Sequence, residues 1–402
     1  MVLVSFFMVI FMRVIGLYII FLLLATGAQA GMPIPAAGQT FSDYQQQVKG
    51  YLQSNKQWLD IANKQREIEA VLPFEIASRC DAQESTGVLL FHGLSDSPYT
   101  LRDVATNLAN ACLHVRVMLL PGHGTAATDL LTVTRDDWRQ LAQAAARQFA
   151  MEVDSFFVGG FSTGGALATE LALAMKANQG QQLRGVILFS PLFKINSSID
   201  WISPYLAPFI DWLDHYPDDD FAKYASIPVP AIAQAYRLAK EVSAQVSTES
   251  MVLPVWVAAS QEDATVDTKA TLSLFKEYMA AQKQSRMVLY RYQQDLPPEP
   301  DVTERTASWP QDRVLGMSHI GLHIAPVNPY YGQQGDYRAC GWYFSEPEKY
   351  AECRSDPQNW FGEKGDWLQQ AAPAPGRVSW NPDYAWLMGD LTAWIQQVMV
   401  TK

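Results

Sequence analysis

One short stretch of this sequence has the residue types and spacing of a catalytic serine. Ser162 is the central residue of a G-x-S-x-G pattern that runs from Gly160 to Gly164. An apolar stretch leads into the pattern and a helix-forming stretch follows it, as expected for a serine on a sharp turn from a strand to a helix. Glycine at the two flanking positions removes side chains that would collide in such a turn. The alternative interpretation is a glycine-rich turn whose serine only caps the helix.

A serine hydroxyl is a weak nucleophile near neutral pH, so it needs a base and an acid that orients the base. One known chain order of these groups is serine, acid, histidine. The loop after the apolar run at 252–259 contains Glu262, Asp263 and Asp267. We predict Asp263 as the orienting acid, because it begins the sequence DATV, in which the carboxylate can turn back toward the strand end. Glu262 and Asp267 remain alternatives.

The stretch GMSHIGLHIAP, residues 316–326, contains His319 and His323, four positions apart. On a helix, this spacing would place both imidazoles on one face, where they could bind a metal. A metal pair would need a third ligand and usually a glutamate, as in H-E-x-x-H, whereas the intervening residues are Ile, Gly and Leu. We therefore predict His319, in a loop of small residues, as the catalytic base and His323 as a packed imidazole. No metal or organic cofactor is expected.

Acyl transfer also requires an oxyanion hole, two backbone N–H groups that face the developing negative charge. Thr163, directly after the serine, is predicted to supply one. Leu94, in the loop after the first apolar run, is predicted to supply the other. His92 and His123 are predicted to brace loops and to take no part in the reaction.

The elements that position these residues follow from the apolar pattern. Short, continuously apolar runs alternate with helical segments, and this alternation predicts a mostly parallel sheet with helices on both faces, an α/β fold. The runs are residues 87–91, 115–120, 155–160, 185–189, 252–259 and 287–292. In such folds ligands bind at the carboxyl ends of the strands, where the candidate residues lie.

The chain is predicted to form one hydrolase domain over residues 81–402. A linker and outer helix at 31–80 precede it, with the helical stretch from Phe41 to about Ala70 and Ser42 as N-cap. Two long insertions interrupt the alternation. We call residues 192–248 the cap segment, because Ile202, Leu206, Phe209 and Leu213 recur there at helical spacing. Pro204 and Pro208 should divide it into short helices, and Asp218, Asp219 and Asp220 are predicted to be a solvated face. Residues 321–380 form a cysteine-containing insertion, and residues 384–398 a closing helix.

The first thirty residues are predicted to be a signal peptide. Val14 to Leu24 is unbroken and apolar, and Ala28 and Ala30 fit a cleavage site before Gly31, with translation starting at Met12 or at Met1. The alternative is a membrane anchor formed by residues 2–24, which would place Arg13 near the bilayer centre. After cleavage no membrane span is expected, and the mature protein would be periplasmic or secreted.

The four cysteines fit an oxidising compartment. The most local of the three possible connectivities pairs Cys80 with Cys112 and Cys340 with Cys353. None of the four has a zinc-binding spacing, so a structural role is predicted.

The 402 residues carry a formal net charge of −11. This charge argues against nucleic acid and anionic lipid headgroups as partners, because both require surplus lysine and arginine. Small neutral or weakly charged substrates are expected. The oligomeric state does not follow from the sequence.

Taken together, these motifs resemble the bacterial carboxylesterase and monoglyceride-lipase branch of the α/β-hydrolase superfamily, which is grouped with serine aminopeptidase-like hydrolases. The resemblance rests on LLFHGLSDSPYTLRDVA, LLPGHGT, RDDW, GGFSTGGALA, QEDATV and MSHIGL, which occur in the family's order. It implies Ser162, Asp263 and His319 as the triad, with Leu94 and Thr163 as oxyanion donors. It also implies a cap at 192–248. Thr163 replaces the family's usual apolar residue, and the cysteine-containing insertion has no counterpart in the usual pattern.

The predicted function is therefore hydrolysis of carboxylic esters, with an aliphatic acyl group, by an exported serine hydrolase through an acyl-enzyme. Alternatives on the same fold are a peptidase or amidase, an acyltransferase or thioesterase, and a non-catalytic binding protein. A peptidase for free N-termini would need an acidic anchor in the cap, for which Asp211, Asp214 and the three aspartates 218–220 are candidates.

Overall fold

A central eight-stranded sheet organises this computed structural model, which describes residues 31–80, 85–176, 182–292 and 297–400. Its strands are β1 (Phe74–Ile76), β2 (Thr86–Phe91), β3 (His114–Met118), β4 (Ser155–Phe161), β5 (Leu183–Phe189), β6 (Val255–Ser260), β7 (Arg286–Arg291) and β8 (Thr303–Thr306). They lie in the order β1-β3-β2-β4-β5-β6-β7-β8, and β1 alone of these eight runs antiparallel to its neighbour. The predicted α/β fold with a mostly parallel sheet is confirmed.

All six predicted apolar runs form strands, and two edge strands lacked a signal in the sequence. β8 has the sequence TERT and is largely solvent-accessible, so it carries no apolar run. β1 has three residues, and its central Glu75 pairs with Arg116 across the sheet edge. Edge strands of this kind are short and charged, and for that reason a search for buried strands misses them.

Helices cover both faces of the sheet. The helices are α1 (Phe41–Asn55), α2 (Lys64–Val71), α3 (Arg102–Asn110), α4 (Arg135–Phe149), α5 (Thr163–Lys176), α6 (Ser203–Leu206), α7 (Val229–Glu249), α8 (Thr268–Leu274), α9 (Pro347–Ser355), α10 (Asp366–Gln369) and α11 (Tyr384–Val400). On one face α3 and α11 pack in a single apolar cluster with alternate strand residues, among them Phe157. The adjacent Phe156 points to the opposite face, where its ring meets Phe149 of α4 with centroids 5.9 Å apart.

The outer helix starts at Phe41 as predicted, but its N-cap and its length differ from the prediction. Thr40, and not Ser42, is the N-cap: its hydroxyl accepts a hydrogen bond from the N–H of Asp43 at 3.1 Å. The predicted single helix is two helices, because α1 ends at Asn55. Asp60 then caps a separate 3-10 turn through the N–H of Ala62 before α2 begins. Such capping side chains compete locally with continuation of a helix.

The cap segment contains a 3-10 turn at Asp200–Ile202, the four-residue α6 and the long α7. Pro204 lies in the first turn of α6, where its missing N–H removes no helical hydrogen bond. α7 packs on α5, the helix that follows Ser162. Of the four apolar residues at helical spacing, Ile202 and Leu206 are half-buried, whereas Phe209 and Leu213 are exposed at 85 % and 68 %, so the spacing does not mark a continuously buried stripe.

The cysteine-containing insertion contributes to a second, four-stranded sheet. Its order is β12-β11-β10-β9, formed by β9 (Ser308–Trp309), β10 (Val314–Leu315), β11 (Phe361–Gly362) and β12 (Gly376–Arg377). The predicted disulfide pairing is confirmed, Cys80 with Cys112 and Cys340 with Cys353. Two disulfides are typical of proteins that fold in an oxidising, exported environment.

The predicted signal peptide, with its cleavage site at Ala28 and Ala30, lies outside the described residues. Within the described ranges, no helix has the length and apolar character needed to cross a membrane.

Candidate active site

Ser162 lies on a sharp turn between β4 and α5. Its φ of 54° is in the left-handed region, which an L-residue occupies at a cost in strain. The surrounding backbone holds this conformation: the N–H of Ser162 donates to Phe189 O at 3.0 Å, and its carbonyl accepts from Leu192 N at 3.0 Å. The predicted strand–turn–helix context is therefore present.

The two motif glycines are required by backbone contact. A Cβ at Gly164 would lie 2.1 Å from Phe91 O, and one at Gly160 would lie 2.4 Å from the carbonyl carbon of Gly164. Neither neighbour is a flexible side chain that can move aside. The tight turn thus depends on both glycines.

Replacing Gly164 by alanine is expected to destabilise the fold by about 3 kcal/mol or more, because strand β2 would have to shift to accept the Cβ. Gly389 in α11 provides the matched control, since a Cβ there meets nothing within 4 Å. Gly389→Ala should leave stability unchanged or raise it by about 0.5–1 kcal/mol. Denaturant unfolding of both variants measures the difference. Equal stabilities would show that the turn does not depend on close backbone approach.

His319 contacts both other members of the predicted triad. Its Nε2 lies 3.0 Å from Ser162 Oγ, and its Nδ1 lies 2.6 Å from Asp263 Oδ2. An ionised carboxylate can only accept, so Nδ1 carries the proton and Nε2 is free to accept from the serine hydroxyl. All three side chains are buried.

Asp263 is held as an anion. Burial alone would raise the pKa of Asp263, but the charge and hydrogen bond of His319, together with the N–H of Val266, hold that pKa below its ordinary value. Its other oxygen, Oδ1, accepts from Thr265 N at 2.8 Å and from Val266 N at 2.9 Å. These bonds orient the carboxylate toward the imidazole.

The two alternative acids point elsewhere. Glu262 accepts from the N–H of Tyr292 at 2.7 Å, at the end of β7. Asp267 caps α8 through Ala270 N and pairs with Lys194 at 2.8 Å. Of the three candidates, Asp263 is the one that reaches His319.

The structure adds a residue that sequence reasoning missed. Glu363, fully buried in the cysteine-containing insertion, accepts from the backbone N–H of His319 at 3.2 Å. Arg377 donates to the same glutamate oxygen from Nε and Nη2. Nothing local distinguishes Glu363 from other acids, because its partners lie 44 and 14 residues away in the chain. The insertion therefore helps to hold the loop that carries His319.

The predicted oxyanion donors lie beside the serine. Leu94, Thr163 and Ser162 line one pocket, and among the described residues neither the Leu94 nor the Thr163 N–H has an intramolecular acceptor. The loop carrying Leu94 passes close to the serine, since a Cβ at Gly93 would lie 3.3 Å from Ser162 Cβ. These two N–H groups are available to a substrate oxygen.

His92 and His123 brace this loop, as the sequence predicts. His92 Nε2 accepts from Leu120 N at 3.0 Å, and His123 Nε2 accepts from Ser95 N at 3.1 Å. Burial lowers the pKa of both imidazoles, that of His123 to about 4, so both are neutral acceptors.

His323 is fully buried beside the rings of Phe161 and Phe189, with the Phe161 centroid 4.2 Å away. Neither of its ring nitrogens has a hydrogen-bond partner among the described residues. Both nitrogens of His319 are used by Ser162 and Asp263, so the two histidines do not form a shared metal site. No group of three metal-ligating side chains occurs in the part of the chain that the structure describes.

The predicted solvated face at 218–220 is wrong. Asp220 is buried and accepts from the hydroxyl of Tyr331 at 2.6 Å, and burial raises its pKa to about 7. Asp219 accepts from the hydroxyls of Tyr337 and Tyr350 in the cysteine-containing insertion. These aspartates attach the cap segment to that insertion, a contact between segments about 110 residues or more apart.

The pocket over Ser162, which we call the Ser162 pocket, has a volume of about 300 Å³. Its walls are mainly apolar, and most of the apolar side chains come from the nucleophile turn and from the cap segment, including α7. They include Phe161, Leu192, Ile195, Ile227 and Ile232. A mainly apolar pocket with a few convergent polar groups is the usual form of a small-molecule site.

Comparison with known proteins gives one family match and several relatives. Residues 82–215 match the family described as serine aminopeptidase, S33. A thermostable monoacylglycerol lipase from Bacillus sp. (strain H-257) is 26% identical over 211 residues, which cover 49% of this chain and 78% of the lipase. These findings confirm the resemblance to the carboxylesterase and monoglyceride-lipase branch of the α/β-hydrolase superfamily.

Two solved structures similar to this chain are also lipolytic enzymes. One comes from a study of LipS and LipT, two metagenome-derived lipolytic enzymes, with 22% identity, a TM-score of 0.47, and coverage of 54% of this chain and 86% of that chain. The other is a monoglyceride lipase from Saccharomyces cerevisiae, with 14% identity, a TM-score of 0.45, and coverage of 55% and 82%.

Proposed function

We propose that this chain, a serine hydrolase similar to monoacylglycerol lipases, is an exported enzyme that cleaves carboxylic esters with an aliphatic acyl group. The observation that carries the proposal is the continuous hydrogen-bonded line from Asp263 through His319 to Ser162. This line ends at an apolar pocket that also holds the Leu94 and Thr163 N–H groups, which have no acceptor among the described residues.

The first half-reaction forms an acyl-enzyme. Ser162 Oγ attacks the acyl carbon while His319 Nε2 takes the hydroxyl proton, and Asp263 stabilises the resulting imidazolium. The N–H groups of Leu94 and Thr163 stabilise the negative charge on the acyl oxygen. The C–O bond then breaks, and the alcohol leaves with the proton that His319 returns.

The second half-reaction releases the acid. A water molecule gives a proton to His319 and attacks the acyl carbon, and the same two N–H groups hold the charge again. The bond to Ser162 Oγ breaks, Oγ regains its proton, and the carboxylic acid departs. No metal or organic cofactor is needed for these steps.

The pocket supports an aliphatic acyl group of short or medium length. Leu192, Ile195, Ile227 and Ile232 offer dispersion contacts to methylene groups. The volume of about 300 Å³ lies at the lower end of the range for ligand cavities.

Structural features disfavour a peptidase that needs an acidic anchor for a free N-terminus. Asp219 and Asp220, two of the candidates, are bound by side chains of the cysteine-containing insertion. Among the described residues that line the Ser162 pocket, Asp96 is the one with a carboxyl group. This carboxyl group already accepts hydrogen bonds from Ser97 N and Thr100 Oγ1.

Export is supported by the two disulfides together with the apolar leader predicted before Gly31. The proposed chemistry is the same whether the mature protein stays in the periplasm or is secreted.

Hydrolysis rates on two substrate series test this proposal. All p-nitrophenyl esters in a series of acetyl, butyryl, octanoyl and palmitoyl groups should be hydrolysed with a higher kcat/KM than aminoacyl p-nitroanilides. Within the ester series, kcat/KM should be highest for the butyryl or octanoyl ester, because a short or medium chain fills the pocket. Ser162→Ala is the control for non-enzymatic hydrolysis. Faster cleavage of the anilides would indicate a peptidase. Acyl transfer to an added alcohol in preference to water would indicate an acyltransferase.

A further inference from the structure

Two basic residues line the Ser162 pocket, although its walls are otherwise mainly apolar. Lys223 comes from the cap segment and Arg377 from β12 at the end of the cysteine-containing insertion. Asp96 is the acidic residue that lines the same pocket as Lys223 and Arg377. A charged group placed in an apolar pocket usually determines which substrates fit it.

The same two residues line a second cavity of about 450 Å³, which we call the outer cavity. It lies between the cap segment and the cysteine-containing insertion, and it shares Lys223, Ile227, Ile320 and Arg377 with the Ser162 pocket. Lys223 and Arg377 therefore lie at the boundary between the Ser162 pocket and the outer cavity. A substrate held at Ser162 and extending toward the outer cavity would pass them.

Lys223 forms no ion pair with a carboxylate among the described residues. Its ammonium lies 4.8 Å from the ring centroid of Tyr331. Asp96 and Asp220 are the carboxyl groups that interact with its charge at longer range, and burial raises the pKa of both. Each is already hydrogen-bonded to other protein groups, Asp96 to Thr100 and Asp220 to Tyr331. The ammonium thus retains the capacity to bind an anion.

Arg377 is held in place by its partners. It donates to Glu363 from Nε and Nη2 and to Thr265 Oγ1 at 2.7 Å. Its guanidinium is therefore fixed beside the triad loop, where its charge also lowers the pKa of Asp263. Because Glu363 balances much of its charge, Lys223 is the stronger attraction for an anion.

The acids of the outer cavity do not cancel this attraction. Asp219 is paired with Arg354 at 3.3 Å and bound by two tyrosine hydroxyls. Asp220 accepts from the hydroxyl of Tyr331, and burial raises its pKa, which weakens its negative charge. Asp214 is exposed at the cavity wall, where water screens its charge.

We propose that Lys223 and Arg377 form a subsite for an anionic oxygen group, a carboxylate or a phosphate, carried by the ester substrate. This inference rests on the proposed ester hydrolysis and specifies its substrate as an ester with one anionic group near the scissile bond. Lys223 donates to the anion, and Arg377 adds positive potential from the opposite segment. Both are specificity-determining residues and take no part in the bond-breaking steps.

Matched substrate pairs test the proposal in the full chain. The first pair is the p-nitrophenyl half-ester of glutaric acid and its methyl ester, which differ by one carboxylate. The second pair is 1-butyrylglycerol 3-phosphate and 1-butyrylglycerol, which differ by one phosphate. The anionic member of at least one pair should have kcat/KM roughly tenfold higher than its neutral partner, as expected for a hydrogen bond to a charged group. The pair that shows the preference identifies the anion as carboxylate or phosphate.

Substitutions assign the preference to Lys223. Lys223→Met should reduce the anionic-to-neutral ratio to near one, and Lys223→Gln should do the same if the methionine variant does not fold. Lys223→Arg should retain most of the ratio. Lys240→Met, which changes an exposed lysine of α7, is the matched control and should retain all of it. Because each ratio is measured within one variant, a partial loss of folded protein does not affect it.

Two results would overturn the inference. One is equal kcat/KM for both members of both pairs in the wild-type protein. The other is an unchanged ratio in Lys223→Met. Hydrolysis of the neutral esters in either case would leave the proposed function intact, whereas failure to hydrolyse any ester would count against the proposed function itself.

Discussion

Replacement of His319 by alanine is expected to reduce kcat/KM for a p-nitrophenyl ester by about ten-thousand-fold or more. The imidazole is the group in contact with Ser162 Oγ, at 3.0 Å, so without it no described side chain removes the hydroxyl proton. The fold should survive, because Glu363 binds the backbone of residue 319 and not its side chain. Steady-state kinetics with a thermal unfolding curve for the same preparation separate loss of catalysis from loss of structure.

His323 is the matched control, four positions away in the same stretch. Both of its nitrogens lack partners among the described residues, so His323→Leu removes no described hydrogen bond. We expect this variant to keep kcat/KM within about tenfold of wild type and to change mainly the unfolding midpoint. Equal losses of activity in the two variants would contradict the assignment of a single base.

Replacement of Asp263 by asparagine is expected to lower kcat by about ten-thousand-fold at neutral pH. The amide that replaces the carboxylate no longer holds the proton on Nδ1 of His319. It also removes the negative charge that stabilises the imidazolium. The backbone donors Thr265 and Val266 still bind the remaining amide oxygen, so the loop should stay folded.

The controls for this variant are the two alternative acids. Glu262→Gln and Asp267→Asn remove carboxylates of the same loop that bind Tyr292 N and α8. Both should stay within about tenfold of wild-type kcat, because neither acid contacts His319. A loss of activity in Asp267→Asn as large as that in Asp263→Asn would reassign the orienting acid.

Local sequence signals were sufficient for the six buried strands of the sheet and for naming the residues of the candidate triad. Buried parallel strands such as β4 have apolar side chains on both faces, so they stand out in the sequence. Gly160 and Gly164 mark the turn because no other residue fits there. Asp263 was favoured over Glu262 because it begins the sequence DATV, and in the structure its Oδ1 accepts from backbone N–H groups two and three residues ahead, a local pattern typical of short side chains.

Contacts that the cap segment and the cysteine-containing insertion make with distant segments could not be predicted. Glu363 and Arg377 reach the triad loop only because the cysteine-containing insertion folds back onto it. Asp220 is an acidic residue, and the sequence therefore indicated a solvated position. It is buried because it binds Tyr331, which lies 111 positions away in the chain. For the same reason the apolar spacing of the cap segment did not reveal that Phe209 is exposed.

The central claim is that Ser162 is an activated nucleophile, and covalent labelling with a fluorophosphonate probe tests it most directly. The proposal predicts one adduct per chain, located on Ser162 by peptide mass spectrometry. That adduct should be absent in Ser162→Ala and should form much more slowly in His319→Ala. Failure of the wild-type protein to react, or equal labelling of Ser162→Ala, would contradict the account.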